Sequence, residues 1–118
     1  MKRQVGFSLL EVMIGLLILS IGMLGIAAMT TTSIRTNANA NHLSEAMNIG
    51  QAQMEKLKIV AWGTLSNASS TSTSKSGVTF TNTWTVTTTG IVKDVTLVTS
   101  WVDGTNTHMV ELKTKIAR

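Results

Sequence analysis

The sequence predicts an α+β protein in which one long amino-terminal α-helix packs against a small antiparallel β-sheet of about three strands. Two observations predict this class. From residue 7 to residue 61 the apolar residues form first a continuous run and then a pattern of three- and four-residue steps, as in a helix. From Val78 onward they alternate with polar residues, as in β-strands. A chain of 118 residues allows one domain, so the helix and the sheet should share a core.

The first half of the predicted helix can span a membrane. Residues 7–29 are apolar except for two serines and Glu11. As a helix they would rise roughly 35 Å, against a hydrocarbon core of about 30 Å. Lys2 and Arg3 precede this segment, and only Arg35 follows it closely. The positive-inside rule therefore places the amino terminus in the cytoplasm and the residues after about 30 on the other side.

Glu11 is unusual in such a segment. A carboxylate at the centre of a spanning helix costs roughly 2.5–3.5 kcal/mol, and less near an end. A simple membrane anchor would normally lack it, so Glu11 is expected to act inside a protein assembly. The stretch from Gly6 to Val12, after its basic leader, resembles the processing motif of type IV prepilins.

The resemblance implies specific roles for three residues. A membrane-embedded prepilin peptidase would cleave between Gly6 and Phe7, removing residues 1–6 as a leader peptide, and would methylate the new amino group of Phe7. Glu11 would set the axial register of the subunit in the assembly. A secretory signal peptide ending near Ala27 is disfavoured by the long apolar run, and a lipoprotein signal needs a cysteine, which the chain lacks. A plain anchor remains an alternative that leaves Gly6 and Glu11 unexplained.

Residues 30–61 continue the helix as an amphipathic half, without proline. Its apolar seam includes Leu43, Met47, Met54 and Leu57. Gly63 follows the helical pattern and indicates its end. Residues 62–77 are rich in serine and threonine and are predicted to form a loop. It is either a flexible surface connection or a glycosylated or partner-contacting loop, since Asn67-Ala68-Ser69 fits an N-glycosylation acceptor.

Residues 78–118 are predicted to form the antiparallel sheet. Gly90 marks the first turn, and Asp103-Gly104 is a hairpin signal before the last strand. One face of the sheet is apolar, and the seam of the helix is expected to cover it, with Leu57 meeting Trp101. The sheet residues predicted in this core are Trp84, Leu97, Trp101, Val110 and Leu112.

Composition excludes several functions. Without cysteine there is neither a disulfide nor a thiol nucleophile, and His42 and His108 lie on different elements. No metal site, cofactor or catalytic residue is expected, and the chain is interpreted as a substrate of a processing enzyme and not as an enzyme. The net charge of +4 includes Lys2 and Arg3; removing these two leaves eight basic and six acidic residues, or +2. So small an excess does not indicate a nucleic-acid partner.

The phrase from Gly6 to Ala27 resembles minor pilins, together with two later stretches, Gln51-Ala52-Gln53-Met54-Glu55 and residues 101–104 with 108–114. Of these, the first is the specific one. The implied fold is type IV pilin-like. The implied partners are the prepilin peptidase, other minor pilins, the major pilin, the inner-membrane assembly platform and, before assembly, membrane lipid. The implied location is the bacterial inner membrane and then a pilus. A minor pseudopilin of a type II secretion system and a membrane-tethered binding module remain alternatives.

Overall fold

A computed structural model describes residues 6–118. Most of the predicted leader, with Lys2 and Arg3, lies outside the described residues. The described elements are helix α1 (Leu9–Ile59), a 3-10 turn (Trp62–Thr64) and four strands, namely β1 (Ala68–Thr73), β2 (Thr79–Thr89), β3 (Val92–Asp103) and β4 (Asn106–Ala117). The predicted α+β class is confirmed, with four antiparallel strands instead of three. The chain divides into two compact units, one ending at Asn39 and the other comprising Ala40–Arg118.

Helix α1 begins and ends two residues inside the predicted limits. Its threonine-rich stretch stays helical although threonine favours helix only weakly. The hydroxyls of Thr30, Thr31 and Thr32 each donate to the carbonyl four residues earlier, at 2.9–3.1 Å. Ser20 does the same at 2.7 Å. Because each hydroxyl group donates to a carbonyl of the same helix, it needs no hydrogen-bond acceptor from outside the helix in an apolar environment.

The sheet has the order β1-β2-β3-β4, and every neighbouring pair is antiparallel. Gly90 and Gly104 lie in the β2–β3 and β3–β4 turns at φ values of 63° and 62°, which few residues other than glycine adopt. Leu97 at the centre of β3 pairs with Trp84 on one side and Leu112 on the other. This register brings the apolar residues of three strands to one face.

Strand β1 corrects the prediction of a loop over residues 62–77. Ala68 to Thr73 pair with Trp84 to Thr79 without interruption. Two further hydrogen bonds hold the segment, because the Val86 amide donates to Asn67 Oδ1 at 2.6 Å and the Trp84 indole donates to the Ser66 carbonyl at 3.0 Å. The interpretation as a flexible connection is therefore wrong for this segment. Its order comes from β2, which local composition cannot reveal.

The core of the second unit consists of two clusters. The larger contains Met54, Leu57, Leu65, Val95 and Leu97, with Trp84, Val86, Leu112 and Ile116 packed against it. The smaller contains Ala46, Phe80 and Trp101, with Ile49, Val78 and Val110 packed against it. Leu57 and Trp101 thus belong to different clusters, and the expected contact between them is wrong. The helix crosses the sheet so that successive turns meet different strand residues.

The predicted core residues differ in burial. Met54, Leu57, Leu97 and Trp101 are buried, whereas Met47, Trp84, Val110 and Leu112 are half-buried. Leu43 is 48% exposed, so its assignment to the core is wrong. Leu43 lies on the same face of α1 as Gly50, two turns earlier in the helix. Along the chain, the first residue of the helix that is fully buried is Ala46. The apolar seam therefore continues one turn beyond the sheet.

Gly50 marks the closest approach of α1 to the sheet. A Cβ atom there would lie 3.0 Å from Thr99 Oγ1 and 3.1 Å from Leu112 Cδ1. Next to it, the buried Thr99 hydroxyl donates to the buried Asn82 Oδ1 at 2.7 Å. The helix and sheet thus meet over a hydrogen-bonded polar pair that the alternating pattern did not predict. A buried polar pair needs such a bond, because unpaired burial is costly.

Lys93 connects β3 by hydrogen bonds to the turn that follows the helix. It is only 7% exposed. Its Nζ donates to the Trp62 carbonyl at 2.6 Å and the Leu65 carbonyl at 3.0 Å. The ammonium group also lies 4.5 Å from the centre of the Trp62 ring, within range of a cation–π interaction. A lysine on an inward strand position therefore serves as an anchor for the chain after α1.

We expect Lys93→Met to lower the free energy of unfolding by about 1–3 kcal/mol. Methionine retains the apolar stem but leaves the two carbonyls without their donor. Denaturant unfolding of the full chain in detergent measures the loss. The control is Lys113→Met: Lys113 is exposed and pairs with Glu111 at 2.6 Å, an interaction that raises its pKa. Such exposed pairs contribute about 0–1 kcal/mol. Equal losses in the two variants would contradict the anchoring role of Lys93.

Candidate functional site

The start of α1 is fixed by Ser8. The Glu11 amide donates to Ser8 Oγ at 3.2 Å and to the Ser8 carbonyl at 3.0 Å. Ser8 therefore caps the first turn, which begins at Leu9. Ser8 is absent from the predicted site residues, although serine followed by glutamate three positions later is a known sequence signature of a helix start.

Gly6 and Phe7 lie outside the helix, immediately before this cap. Both are exposed, and the Phe7 side chain is 82% exposed. Among residues 8–118, no atom lies within 4 Å of the position that a Cβ would take at Gly6. The bond between Gly6 and Phe7 is therefore non-helical and open, as a proteolytic site must be.

Glu11 lies in the first turn of α1 and is exposed. A carboxylate there is favoured by the partial positive charge of the helix amino terminus, by about 0.3–1 kcal/mol at an exposed position. The part of the chain that the structure describes contains two ion pairs, Lys113–Glu111 and Lys115–Asp94. Neither of them involves Glu11. Its carboxylate is therefore available to a group from outside residues 6–118.

From Val12 to Met29 the helix is apolar on every side apart from Ser20, and it is uncovered. Every residue from 6 to 41 is exposed. The large apolar side chains in this part include Leu9, Leu10, Ile14, Leu17, Ile21, Leu24 and Met29. A helix that is apolar all round is stable when lipid or other protein surrounds it. By length and composition, α1 can cross a membrane.

The second unit offers little that resembles a catalytic site. His108 stacks on Trp101, with ring centres 5.4 Å apart, which places it beside the core. Over residues 6–118 no three histidine or carboxylate side chains group together as metal ligands would. A cavity of about 590 Å³ lies along β3 and β4 and includes Asp94 and Lys115, which form an ion pair at 3.4 Å. Asp94 and Lys115 thus neutralise each other across the two strands.

The comparison with protein families gives one match. Residues 1–27 match the family described as "Prokaryotic N-terminal methylation motif". No curated protein and no solved structure matches the chain. The matched residues include Gly6, Phe7 and Glu11 and most of the apolar run. The match supports a type IV pilin-like or pseudopilin-like protein that is processed by a prepilin peptidase and anchored in a membrane by its amino-terminal helix.

Proposed function

We propose that this chain is a minor type IV pilin similar to PilV. In this proposal the prepilin peptidase cuts between Gly6 and Phe7 and methylates Phe7, and the subunit then joins other minor pilins in a priming or tip complex. That complex would support pilus assembly, adhesion or motility. The observation that carries the proposal is the open Gly6–Phe7 bond and the Glu11 carboxylate at the head of an uncovered apolar helix, all within the methylation motif.

The assignment to a minor subunit is supported by resemblance within the motif and beyond it. The phrase from Gly6 to Ala27 resembles PilV and is the specific part of the resemblance; the stretches 51–55, 101–104 and 108–114 resemble it as well. The stretch 51–55 lies in the second half of α1, and the other two lie at the end of β3 with its turn and in β4. A pseudopilin of a type II secretion system has the same amino-terminal pattern and is the second candidate. The genes beside this one, whether for a pilus or for a secretion system, would distinguish the two.

Before assembly, we infer that α1 lies in the bacterial inner membrane with its amino terminus in the cytoplasm. The sheet would then lie in the periplasm. The charge asymmetry between Lys2 and Arg3 on one side and Arg35 on the other supports this orientation. We also infer that the chain is a substrate of a processing enzyme and not itself an enzyme, because it has no cysteine nucleophile and its two histidines lie on different elements.

Glu11 would then recognise a neighbouring subunit. Cleavage creates a positive amine on Phe7, four residues and so about 6 Å along the helix axis from Glu11. In an apolar bundle each charge needs a partner of opposite sign. The amine of an adjacent subunit would fix the axial position at which α1 enters the assembly. The alternatives are pairing with the amine of the same chain or exposure of Glu11 at the cytoplasmic interface.

We expect Glu11→Gln to be inserted and cleaved normally but to be recovered with other minor pilins at least roughly tenfold less, equal to about 1.4 kcal/mol. Glutamine keeps the shape and can still accept a hydrogen bond, but that bond is about half as strong as one to a carboxylate. Quantitative mass spectrometry of purified complexes and pili measures the recovery.

The matched control is Glu55→Gln, because Glu55 is exposed on the outer half of the same helix. It should assemble like the wild type. Equal recovery of the Glu11→Gln variant and the wild type, with a normal number of pili on the cells, would exclude the pairing role. Normal recovery with Glu55→Gln and loss with Glu11→Gln would support it.

A further inference from the structure

The free edge of β1 can be located from the hydrogen bonds of β2. The Val86 amide donates to Asn67 Oδ1, and the Val78 carbonyl accepts from the Ser74 amide. The backbone groups of the even-numbered residues of β2 therefore face β1. Because backbone groups alternate along a strand, the hydrogen-bonded pairs are Phe80–Ser72, Asn82–Ser70 and Trp84–Ala68.

The remaining residues of β1 direct their backbone groups outward. Ser69, Thr71 and Thr73 turn their N–H and C=O groups away from β2, and all three are exposed. Over residues 6–118 no further strand pairs with this edge. Three consecutive outward donor and acceptor sets form a template for an added strand.

This edge lacks the features that usually prevent strand addition. Natural edge strands carry charges, prolines or bulges. β1 has neither a charged residue nor a proline, and its register with β2 is continuous from Ala68 to Thr73. The opposite edge, β4, carries Glu111, Lys113 and Lys115. The two edges of one sheet thus differ, and only β1 is open to an uncharged chain.

A small cavity lies at the start of β1. It has a volume of about 150 Å³, and its lining includes Leu57, Val60, Leu65, Ala68 and Trp84. Ala68, the first residue of β1, belongs to this lining, so a strand added next to it would place one side chain beside the cavity. Thr64 and Ser66 complete the lining, which is mostly apolar, and the volume suits a single aliphatic side chain.

We propose that β1 binds an extended, uncharged segment of a partner protein by strand addition, with one aliphatic residue of that segment in the cavity beside Ala68. Main-chain hydrogen bonds to Ser69, Thr71 and Thr73 would supply affinity, and the cavity would supply specificity. This proposal goes beyond the proposed function, because it rests on residues of the second unit alone and holds for a pilin or a pseudopilin.

A second copy of this chain fits the edge less well. β1 contains no aliphatic residue larger than alanine, so symmetrical pairing of two β1 strands would leave the cavity beside Ala68 unfilled. Pairing of β1 with β4 of another copy would bring the charged edge formed by Glu111, Lys113 and Lys115 against a strand with no charge to match.

Amide hydrogen exchange on the full chain in detergent micelles tests the proposal. The probe is a blocked synthetic peptide, Thr-Val-Thr-Leu-Thr-Val-Thr. We expect the amides of Ser69, Thr71 and Thr73 to exchange at least roughly tenfold more slowly with the peptide, and those of Glu111 and Lys113 to be unchanged. No slowing at β1, or equal slowing at both edges, would overturn the proposal. Slow exchange without peptide, together with a doubled mass in light scattering, would show a second copy as the occupant.

Thr71→Pro removes one outward N–H while leaving the bonds to β2 in place, as proline is tolerated on an edge strand. We expect the Trp84 and Val86 amides to keep their wild-type protection and the peptide to lose at least roughly tenfold in affinity. Thr71→Val is the matched control and should bind the peptide like the wild type, because it keeps the donor. Equal peptide binding by Thr71→Pro and the wild type would overturn strand addition at this edge.

Discussion

Gly6→Leu is expected to leave the protein uncleaved but still inserted in the membrane. Among residues 8–118, the Cβ position at Gly6 has no neighbour within 4 Å, so leucine disturbs none of these residues. Residues 7–29, which provide the membrane segment, are unchanged. We therefore expect the effect to arise in the active site of the peptidase, where the family resemblance implies a residue with no side chain. We expect cleavage to slow at least roughly a hundredfold, equal to about 2.7 kcal/mol in the barrier.

Immunoblots of membrane fractions measure the ratio of precursor to mature protein. Gly15→Leu is the matched control, because Gly15 is equally open but lies inside the helix. It should be cleaved like the wild type. Normal cleavage of the Gly6→Leu variant would show that the peptidase does not read this residue, and loss of both variants from the membrane fraction would indicate failed insertion.

Trp101→Ala is expected to lower the free energy of unfolding of the second unit by about 3–5 kcal/mol. The Trp101 side chain is 4% exposed and lies between Phe80 and His108, with ring centres at 5.7 and 5.4 Å. Alanine would leave a large cavity in the smaller of the two core clusters. Since domains of this size have only about 5–15 kcal/mol of stability in all, the variant should be largely degraded in cells.

Denaturant unfolding of the full chain in detergent, followed by the change in the sheet signal, measures this loss. The matched control is Val102→Ala, the next residue of β3 on the opposite face, which is 62% exposed. Exposed substitutions of this kind usually change stability by less than about 0.5 kcal/mol. A loss under about 1 kcal/mol for Trp101→Ala would contradict its place in the core.

The elements that were predicted from the sequence are those with a local signal. Helix α1 follows from an apolar run joined to a pattern of three- and four-residue steps. Strands β2, β3 and β4 follow from strict alternation, as in Phe80 and Trp84 or Leu97 and Trp101, and from the turn glycines Gly90 and Gly104. In each case the secondary structure of a segment can be predicted from the residues of that segment alone.

The features that were missed depend on distant partners. Strand β1 is held by β2, through Asn67 and Val86 among others. Lysine is usually exposed, and the sequence does not show that Lys93 donates hydrogen bonds to the distant carbonyls of Trp62 and Leu65. Leu43 has the right spacing for the core, but the sheet does not reach it. The spacing of apolar residues shows which face of a helix is apolar. Only the tertiary structure shows how much of that face the sheet covers.

The candidate site was located by the sequence, because Gly6, Phe7 and Glu11 are close together in the chain. The structure adds that the Gly6–Phe7 bond is open and that Ser8 caps the helix. Their roles in cleavage, methylation and assembly remain predictions, since these depend on a peptidase and on neighbouring subunits.

Mass spectrometry of the amino terminus of the protein purified from cells with an active prepilin peptidase is the most direct test of prepilin processing. We expect a chain that begins at Phe7 and carries one methyl group on the amine of that residue. A chain that begins at Met1 or at any residue other than Phe7, or one that begins at Phe7 without the methyl group, would contradict it.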